Sequence, residues 1–322
     1  MSEWCRQGNH NSETGFDKCL AYSSEVTSGG CTGSGGGNSG DFSGGGGNSG
    51  EGGSGDNSGA GGSSGGGTSG NPDVTTPTDC KYDCPPELDA QEPTIDKKNC
   101  EKLQDMLDPA KANIKETITE LEGTLNQTGE NGASFKKNNG LYTNDRLPAT
   151  SGNSIDIPKG DKSPGAYGGI HTHPASCYPM FSYSDIFNLY QLHKNADETL
   201  KSEVTFMLVC KDDAGVNQTY ALKVKDIDNL IAKIESDMKR YAHLPSYTKR
   251  VDAMNGELEK ALEAEDKKVN PNFERTFLSF FDDYDVSLYK ADASRSSFSK
   301  LNLADPNSST SVVNKLPCNN IQ

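Results

Sequence analysis

Two histidines separated by one residue stand in the segment GGIHTHP at positions 168–174. Side chains two positions apart on a β-strand point to the same face, so the imidazoles of His171 and His173 can reach one metal ion. Asp185 follows across one loop, at the start of the next predicted helix, and is a candidate third ligand. Two neutral nitrogens and a carboxylate leave a fourth tetrahedral position for water, as in catalytic zinc sites. The pattern therefore predicts zinc bound by His171, His173 and Asp185.

Each half of this pattern is weak when it is taken alone. A His-x-His pair arises by chance in roughly one chain in ten at this histidine content, and most such pairs are exposed polar residues. Ser182-x-x-Asp185 also fits a capping box, in which a serine caps a helix that has an acid three residues later. The two halves together, one loop apart, are expected by accident in well under about one chain in a thousand. Capping and metal binding are compatible at one helix start.

The pattern His171-x-His173-Pro followed by Ser182-x-x-Asp185 resembles the signature of the JAB/MPN (JAMM) metallopeptidases, the family of the proteasome-lid deubiquitinases and their bacterial relatives. The resemblance implies that the two histidines and the aspartate hold Zn²⁺ and that Ser182 helps to stabilise the developing oxyanion. It also implies an upstream glutamate that acts as general acid and base. By position this glutamate is Glu130, in the segment GENG at 129–132.

The resemblance has limits along the chain. It covers about residues 100–225, and the predicted helices beyond Ile227 are not explained by its motif. The interval between His173 and Ser182 is longer than usual and contains Cys177, a potential zinc ligand or redox lock. Three further candidates for the general base lie in a predicted helix, where solvated surface acids are the better interpretation: Glu116, Glu120 and Glu122. The implied substrate is a protein or peptide, cleaved at a peptide or isopeptide bond.

The elements that must position these residues are a mixture of helices and strands, which predicts an α+β fold. The resemblance implies that the sheet is a JAB/MPN-like mixed sheet flanked by helices. Apolar residues at steps of four, three and four between Ile114 and Leu125 predict a helix that ends near Asn126. A strand at 169–173 and a helix starting near Asp185 carry the candidate ligands. The other predicted elements are strands 204–210 and 219–224 joined by a hairpin turn, helices 227–241, 251–262 and 273–284, and strands 286–290 and 298–303, before a tail that frays toward Cys318.

Composition divides the chain into three parts. Residues 1–27 form a short cysteine-containing segment, which is too small to hold a core without a disulfide or a metal. Residues 28–78 consist mainly of Gly, Ser, Asn and Asp and cannot bury enough apolar surface to offset their conformational entropy. We expect this part to be a disordered, flexible tether. Residues 79–322 are the expected JAB/MPN-like domain with a C-terminal helical extension.

Charge and cysteine content limit the binding partners and the cellular compartments that we expect for this protein. A net charge of -15 argues against nucleic acid as a partner, because nucleic-acid binders present a basic face. The longest apolar run, 204–210, is shorter than the ~20 residues of a membrane span. Nine cysteines favour an extracytoplasmic compartment, whereas the absence of a signal sequence favours the cytosol. We expect a local disulfide among Cys80, Cys84 and Cys100. The sequence does not predict an oligomeric state.

Three other functions compete with a zinc peptidase. The first is a catalytically inactive JAB/MPN-like binding or scaffolding module. The second is a cysteine hydrolase that pairs Cys177 with His171 or His193, although His193 fits the apolar face of its helix. The third is a surface or toxin-associated protein whose tether matters more for its function than catalysis does, because a flexible linker raises the local concentration of the attached domain near a target. This last function is compatible with the enzyme.

Overall fold

The computed structural model describes residues 94–149 and 154–321. The predicted cysteine-containing segment 1–27, the predicted tether 28–78 and the pair Cys80 and Cys84 lie outside the described residues. The described part of the chain folds into helices and a mixed sheet. The predicted α+β class is confirmed.

A mixed sheet of eight strands runs through the described residues. The strands are β1 (Gly132–Asn138), β2 (Leu141–Leu147), β3 (Ala166–Thr172), β4 (Thr205–Lys211), β5 (Asn217–Val224), β6 (Val286–Ala291), β7 (Phe298–Leu303) and β8 (Val313–Pro317). Their order is β2-β1-β3-β4-β5-β6-β7-β8. Neighbouring strands are antiparallel, except that β3 and β4 are parallel. Parallel neighbours require a crossover connection, and the helix that carries Asp185 forms it.

Helices cover the sheet. They are α1 (Ile95–Leu107), α2 (Ile114–Glu122), α3 (Tyr183–Asn195), α4 (Ile227–Arg240), α5 (Tyr247–Asp266) and α6 (Phe273–Phe280). The five helices from α2 onward were predicted, although α2 ends at Glu122 and the chain continues in turns beyond Asn126. Helix α1 was not predicted, because its buried apolar residues are few and stand among charged ones. No helix within 94–149 and 154–321 is long and apolar enough to cross a membrane.

Helix α3 lies at the centre of the packing. It contacts β3, β4 and β5 as well as α4 and α5. Every residue from Tyr183 to Leu192 is buried, because α3 is enclosed between the sheet and the C-terminal helices. The helix that carries Asp185 is therefore held on several sides at once.

The sequence predicted a C-terminal tail that frays toward Cys318, but the tail is ordered. Strand β8 pairs with β7 along its length, and Cys318 forms a disulfide with Cys100 of α1. The expectation of a local disulfide is therefore wrong for Cys100, whose partner lies 218 residues away. Strand β8 gave little signal in the sequence because it is an edge strand whose residues are mostly exposed.

Candidate metal centre

Strand β3 brings the two histidines to one side of the sheet. His171 is within the strand, and the amide of His173 donates to the Val209 carbonyl of β4 at 2.9 Å. This bond keeps the chain extended beyond the last residue of β3, so the two imidazoles stay on one face. Their Nε2 atoms are 3.2 Å apart, and both side chains are buried. The predicted pairing of His171 and His173 is confirmed in space.

Helix α3 begins with the predicted capping box, which uses one oxygen of Asp185. Asp185 Oδ2 accepts from the Ser182 amide at 2.7 Å and from the Ser182 hydroxyl at 2.9 Å. The Asp185 amide in turn donates to Ser182 Oγ at 3.2 Å. Asp185 Oδ1 has no hydrogen-bond partner among the described residues and lies 3.4 Å from His171 Nε2. Capping thus occupies one carboxylate oxygen and leaves the other directed at the histidines.

Neighbouring groups fix the orientation of both rings. His173 Nδ1 lies 2.9 Å from the Tyr178 carbonyl oxygen, which can only accept, so Nδ1 carries the proton. The lone pair of His173 is then on Nε2, the atom that faces His171. The His171 ring stacks on Phe206 with the ring centroids 5.1 Å apart. The carbonyl of Tyr178 gave no signal in the sequence, because a backbone acceptor is independent of residue type.

Glu130 reaches the same place through the pairing of β1 with β3. The amide of Asn131 donates to Thr172 Oγ1 at 2.9 Å, and the amide of Thr172 donates to the Asn131 carbonyl at 2.8 Å. These bonds bring Glu130 beside the histidines, with Oε1 4.0 Å from His173 Nε2. The Glu130 side chain is 0% exposed. A buried acid beside two histidines is therefore a feature of this site.

Glycine at position 132 permits this close approach of β1 to β3. Gly132 is paired with His171 in the antiparallel register. A Cβ atom at Gly132 would lie 2.6 Å from the Ile170 carbonyl oxygen and 3.0 Å from Ile155 Cδ1. Both distances are shorter than ordinary van der Waals contacts. Gly132, the second glycine of the segment GENG, is thus needed to bring Glu130 close to the histidines.

The alternative glutamates are not in the site. Glu116 and Glu120 are exposed on α2, and Glu122 forms an ion pair with Arg295. The interpretation as surface acids agrees with the positions of Glu116 and Glu120, but it is wrong for Glu122, whose side chain is only 11% exposed. Among the upstream glutamates predicted as general base, Glu130 is the one that the fold brings to the histidines.

The three predicted ligands have separations that fit a metal ion. The ligand atoms of His171, His173 and Asp185 all lie within 4.8 Å of one another, and all three residues are buried. Ligands at about 2.0–2.1 Å from a tetrahedral ion are roughly 3.3–3.4 Å apart. Two of the separations, 3.2 Å between the two Nε2 atoms and 3.4 Å between His171 Nε2 and Asp185 Oδ1, are close to this value, and the separation of His173 Nε2 from Asp185 Oδ2 is longer, at 4.0 Å. The group can hold a metal ion.

Comparison of the chain with protein-family models, with curated proteins and with solved structures finds no match. The metal centre is therefore supported by the burial and separations of His171, His173 and Asp185 themselves.

Burial and mutual charge set the protonation of the ligands. Burial, together with the charge of His171, lowers the pKa of His173 to about 4. Burial would also lower the pKa of His171, but the nearby charge of Asp185 raises it overall. Burial would raise the pKa of Asp185, but the charge of His171 lowers it overall. Without a metal, these shifts favour a neutral His173 and a charge pair of His171 with Asp185.

We expect metal affinity to weaken as pH decreases through the pKa of His171. A metal ligand must be deprotonated, so the cation displaces the proton of His171. Because this pKa is raised above about 6.5, apparent affinity should fall about tenfold per pH unit below it and level off above it. Titration calorimetry with zinc in buffers of different ionisation enthalpy, between about pH 5 and pH 8, counts the released protons. An affinity that is independent of pH across this range would contradict the assignment of His171 as a ligand.

The two roles considered for a free Cys177 are excluded. Cys177 is disulfide-bonded, so it provides neither a thiolate ligand for zinc nor a nucleophile. His193, the other histidine considered for the cysteine hydrolase, lies in the last turn of α3, at the opposite end of the helix from Asp185. The cysteine-hydrolase alternative is therefore wrong for the disulfide-bonded protein. The free cysteine of the described residues is Cys210, which is buried.

Proposed function

We propose that this protein is a zinc-dependent metallopeptidase of the JAB/MPN type, which hydrolyses a peptide or isopeptide bond. The observation that carries the proposal is one buried cluster in which three ligand side chains meet a fourth acidic side chain. His171, His173 and Asp185 supply the ligand atoms, and Glu130 lies beside them. A structural metal site would have no need of this additional acid.

The donor set favours zinc among the common metals. Two imidazole nitrogens and one carboxylate oxygen bind zinc or iron(II), whereas magnesium and calcium prefer oxygen ligands, and the separations of 3.2 and 3.4 Å are close to those of tetrahedral zinc. Three protein ligands are also the number found in catalytic zinc sites, which keep one position for water or substrate. Zn²⁺ is therefore the cofactor that we assign to this site.

The side chains of the site divide the work of hydrolysis. Bound zinc would lower the pKa of a water molecule toward ~7 and polarise the carbonyl of the scissile bond. Glu130 Oε1 would accept a proton from the attacking water and return it to the nitrogen of the leaving amine. Its burial in a dry site strengthens its electrostatic interactions there. Asp185 is not suited to this role, because its Oδ2 accepts from Ser182 and its Oδ1, which lies 3.4 Å from His171 Nε2, would bind the zinc.

Ser182 is half-buried at the edge of the site, and its hydroxyl donates to Asp185 Oδ2. We propose that, when substrate is bound, this single O–H turns from Asp185 Oδ2 and donates to the oxyanion that forms on the substrate. Ser182→Ala is expected to lower kcat about 10²–10³-fold at saturating zinc, the usual effect of removing one oxyanion donor. The loss of the cap should cost only about 1 kcal/mol of stability. A variant that loses zinc affinity but keeps kcat when saturated with zinc would limit Ser182 to orienting Asp185.

The proposed activity is tested on the full-length protein saturated with zinc. The probes are a set of internally quenched peptides of varied sequence and a protein dimer joined by a lysine isopeptide bond. We expect cleavage that 1,10-phenanthroline stops and added zinc restores, and we expect none with Asp185→Ala. A protein that holds zinc and cleaves neither probe would instead support the alternative, a catalytically inactive JAB/MPN-like binding or scaffolding module.

A further inference from the structure

The residue before Asp185 is held by a side chain from another helix. The Ser184 amide donates to Asn255 Oδ1 of α5 at 3.0 Å. In return, Asn255 Nδ2 donates to Ser184 Oγ at 2.7 Å. Ser184 is 2% exposed and Asn255 is 8% exposed. The side-chain amide of Asn255 therefore accepts from and donates to the same residue of α3, and both residues are buried.

This contact adds to the capping of the helix that carries Asp185. The first N–H groups of a helix have no partner within the helix. In α3, Ser182 Oγ accepts the N–H of Asp185, and Asn255 Oδ1 accepts the N–H of Ser184. The first group is satisfied locally and the second from α5. The direction of the first turn of α3 thus depends on where α5 places Asn255.

A second buried contact ties the same turn to α4. The Tyr183 hydroxyl donates to Asp237 Oδ2 at 3.1 Å, and the Tyr284 hydroxyl donates to the same oxygen. Arg240 donates to the other oxygen of Asp237 at 3.1 Å. The carboxylate of Asp237 is therefore held on both sides. Consecutive residues of α3, Tyr183 and Ser184, are bound by the C-terminal helices immediately before Asp185.

We propose that Asn255 is a positioning residue for the metal centre, which extends the zinc site proposed above and rests on it. By fixing Ser184, Asn255 sets the direction in which Asp185 Oδ1 points toward His171. An apolar residue of similar volume would fill the same space but leave the N–H of Ser184 buried without a partner. Because a buried N–H without a partner is unfavourable, the first turn of α3 would shift so that this N–H reaches another acceptor. The C-terminal helices thus form part of the metal site.

The test compares zinc affinity in the full-length wild-type protein and in Asn255→Leu, measured by competition with a chromophoric chelator. Outer-shell contacts typically contribute about 10–100-fold to metal affinity, and we expect a loss near the lower end. The absorption spectrum of the cobalt-substituted protein should also change, because it reports the ligand geometry. As a matched control, Val251→Ala shortens a buried side chain one turn earlier on α5. It should lower the melting temperature and leave zinc affinity and the cobalt spectrum unchanged.

Ser184→Ala provides a milder second variant, which removes the bond from Asn255 Nδ2 and keeps the Ser184 amide. It is expected to weaken zinc binding severalfold, and it decides the question if Asn255→Leu does not fold. Zinc affinities and cobalt spectra equal to wild type in the folded variants would overturn the role of Asn255. A wild-type protein that binds no zinc would instead overturn the metal centre itself, so the two failures are distinguishable.

Discussion

Replacing Glu130 with glutamine is expected to lower kcat about 10²–10⁴-fold while zinc remains bound, the range for removal of a general acid–base group. Glutamine keeps the shape of the side chain but cannot accept a proton at neutral pH. Glu130 is buried beside the histidines, with its Oε1 4.0 Å from His173 Nε2, but it does not belong to the group of His171, His173 and Asp185 whose ligand atoms lie within 4.8 Å of one another. The variant should therefore lose proton transfer and retain all three proposed ligands.

The matched control for Glu130 is another glutamate changed in the same way. Glu120→Gln alters an exposed residue on α2, so it should leave both activity and zinc content unchanged. Cleavage of quenched peptides and zinc content by mass spectrometry should be measured on the same preparations. Full activity of Glu130→Gln would rule out its role as general base. Loss of zinc from Glu130→Gln would show that Glu130 is instead a ligand.

Removal of the disulfide between Cys100 and Cys318 is expected to lower the free energy of unfolding by up to about 5 kcal/mol. The bond joins residues 218 positions apart, so it restricts a long loop of the unfolded chain. Cys318→Ser breaks this bond and leaves the disulfide of Cys177 in place, which a reducing agent would not do. Strand β8 lies at the sheet edge, several strands from β3, and zinc binding should persist while the protein is folded.

Denaturant titration of Cys318→Ser measures this effect. The double variant Cys100→Ala with Cys318→Ser should cost little more than the single change, because the bond is already absent. An unfolding free energy equal to that of the wild type would mean that the disulfide does not contribute to stability. The ordered C-terminus would then depend on the pairing of β8 with β7 alone.

The sequence was most informative where the determinants are local. The alternation of His171 and His173, the serine cap at Ser182 and the apolar spacing of the later helices all depend on residues a few positions apart. The strand, the capping box and the helix that carries Asp185 were predicted for this reason. The hairpin of β4 and β5 was equally accessible, because a polar turn separates two apolar runs.

Features that depend on distant residues were not accessible in this way. Glu130 could be proposed only by its position, because its burial results from the pairing of β1 with β3. The disulfide of Cys100 with Cys318 joins opposite ends of the described chain. Asn255 gave no signal in the sequence, since a polar residue in an amphipathic helix is usually exposed. In each case the partner is supplied by the tertiary fold.

Zinc content of the full-length protein, measured by mass spectrometry after reconstitution and extensive dialysis, tests the central claim most directly. We predict about one zinc ion per chain, the content expected of three protein ligands around one ion. The zinc should be absent from His171→Ala and from Asp185→Ala, provided that both variants remain folded by circular dichroism. A wild-type protein that holds no more zinc than these variants would contradict the existence of the metal centre.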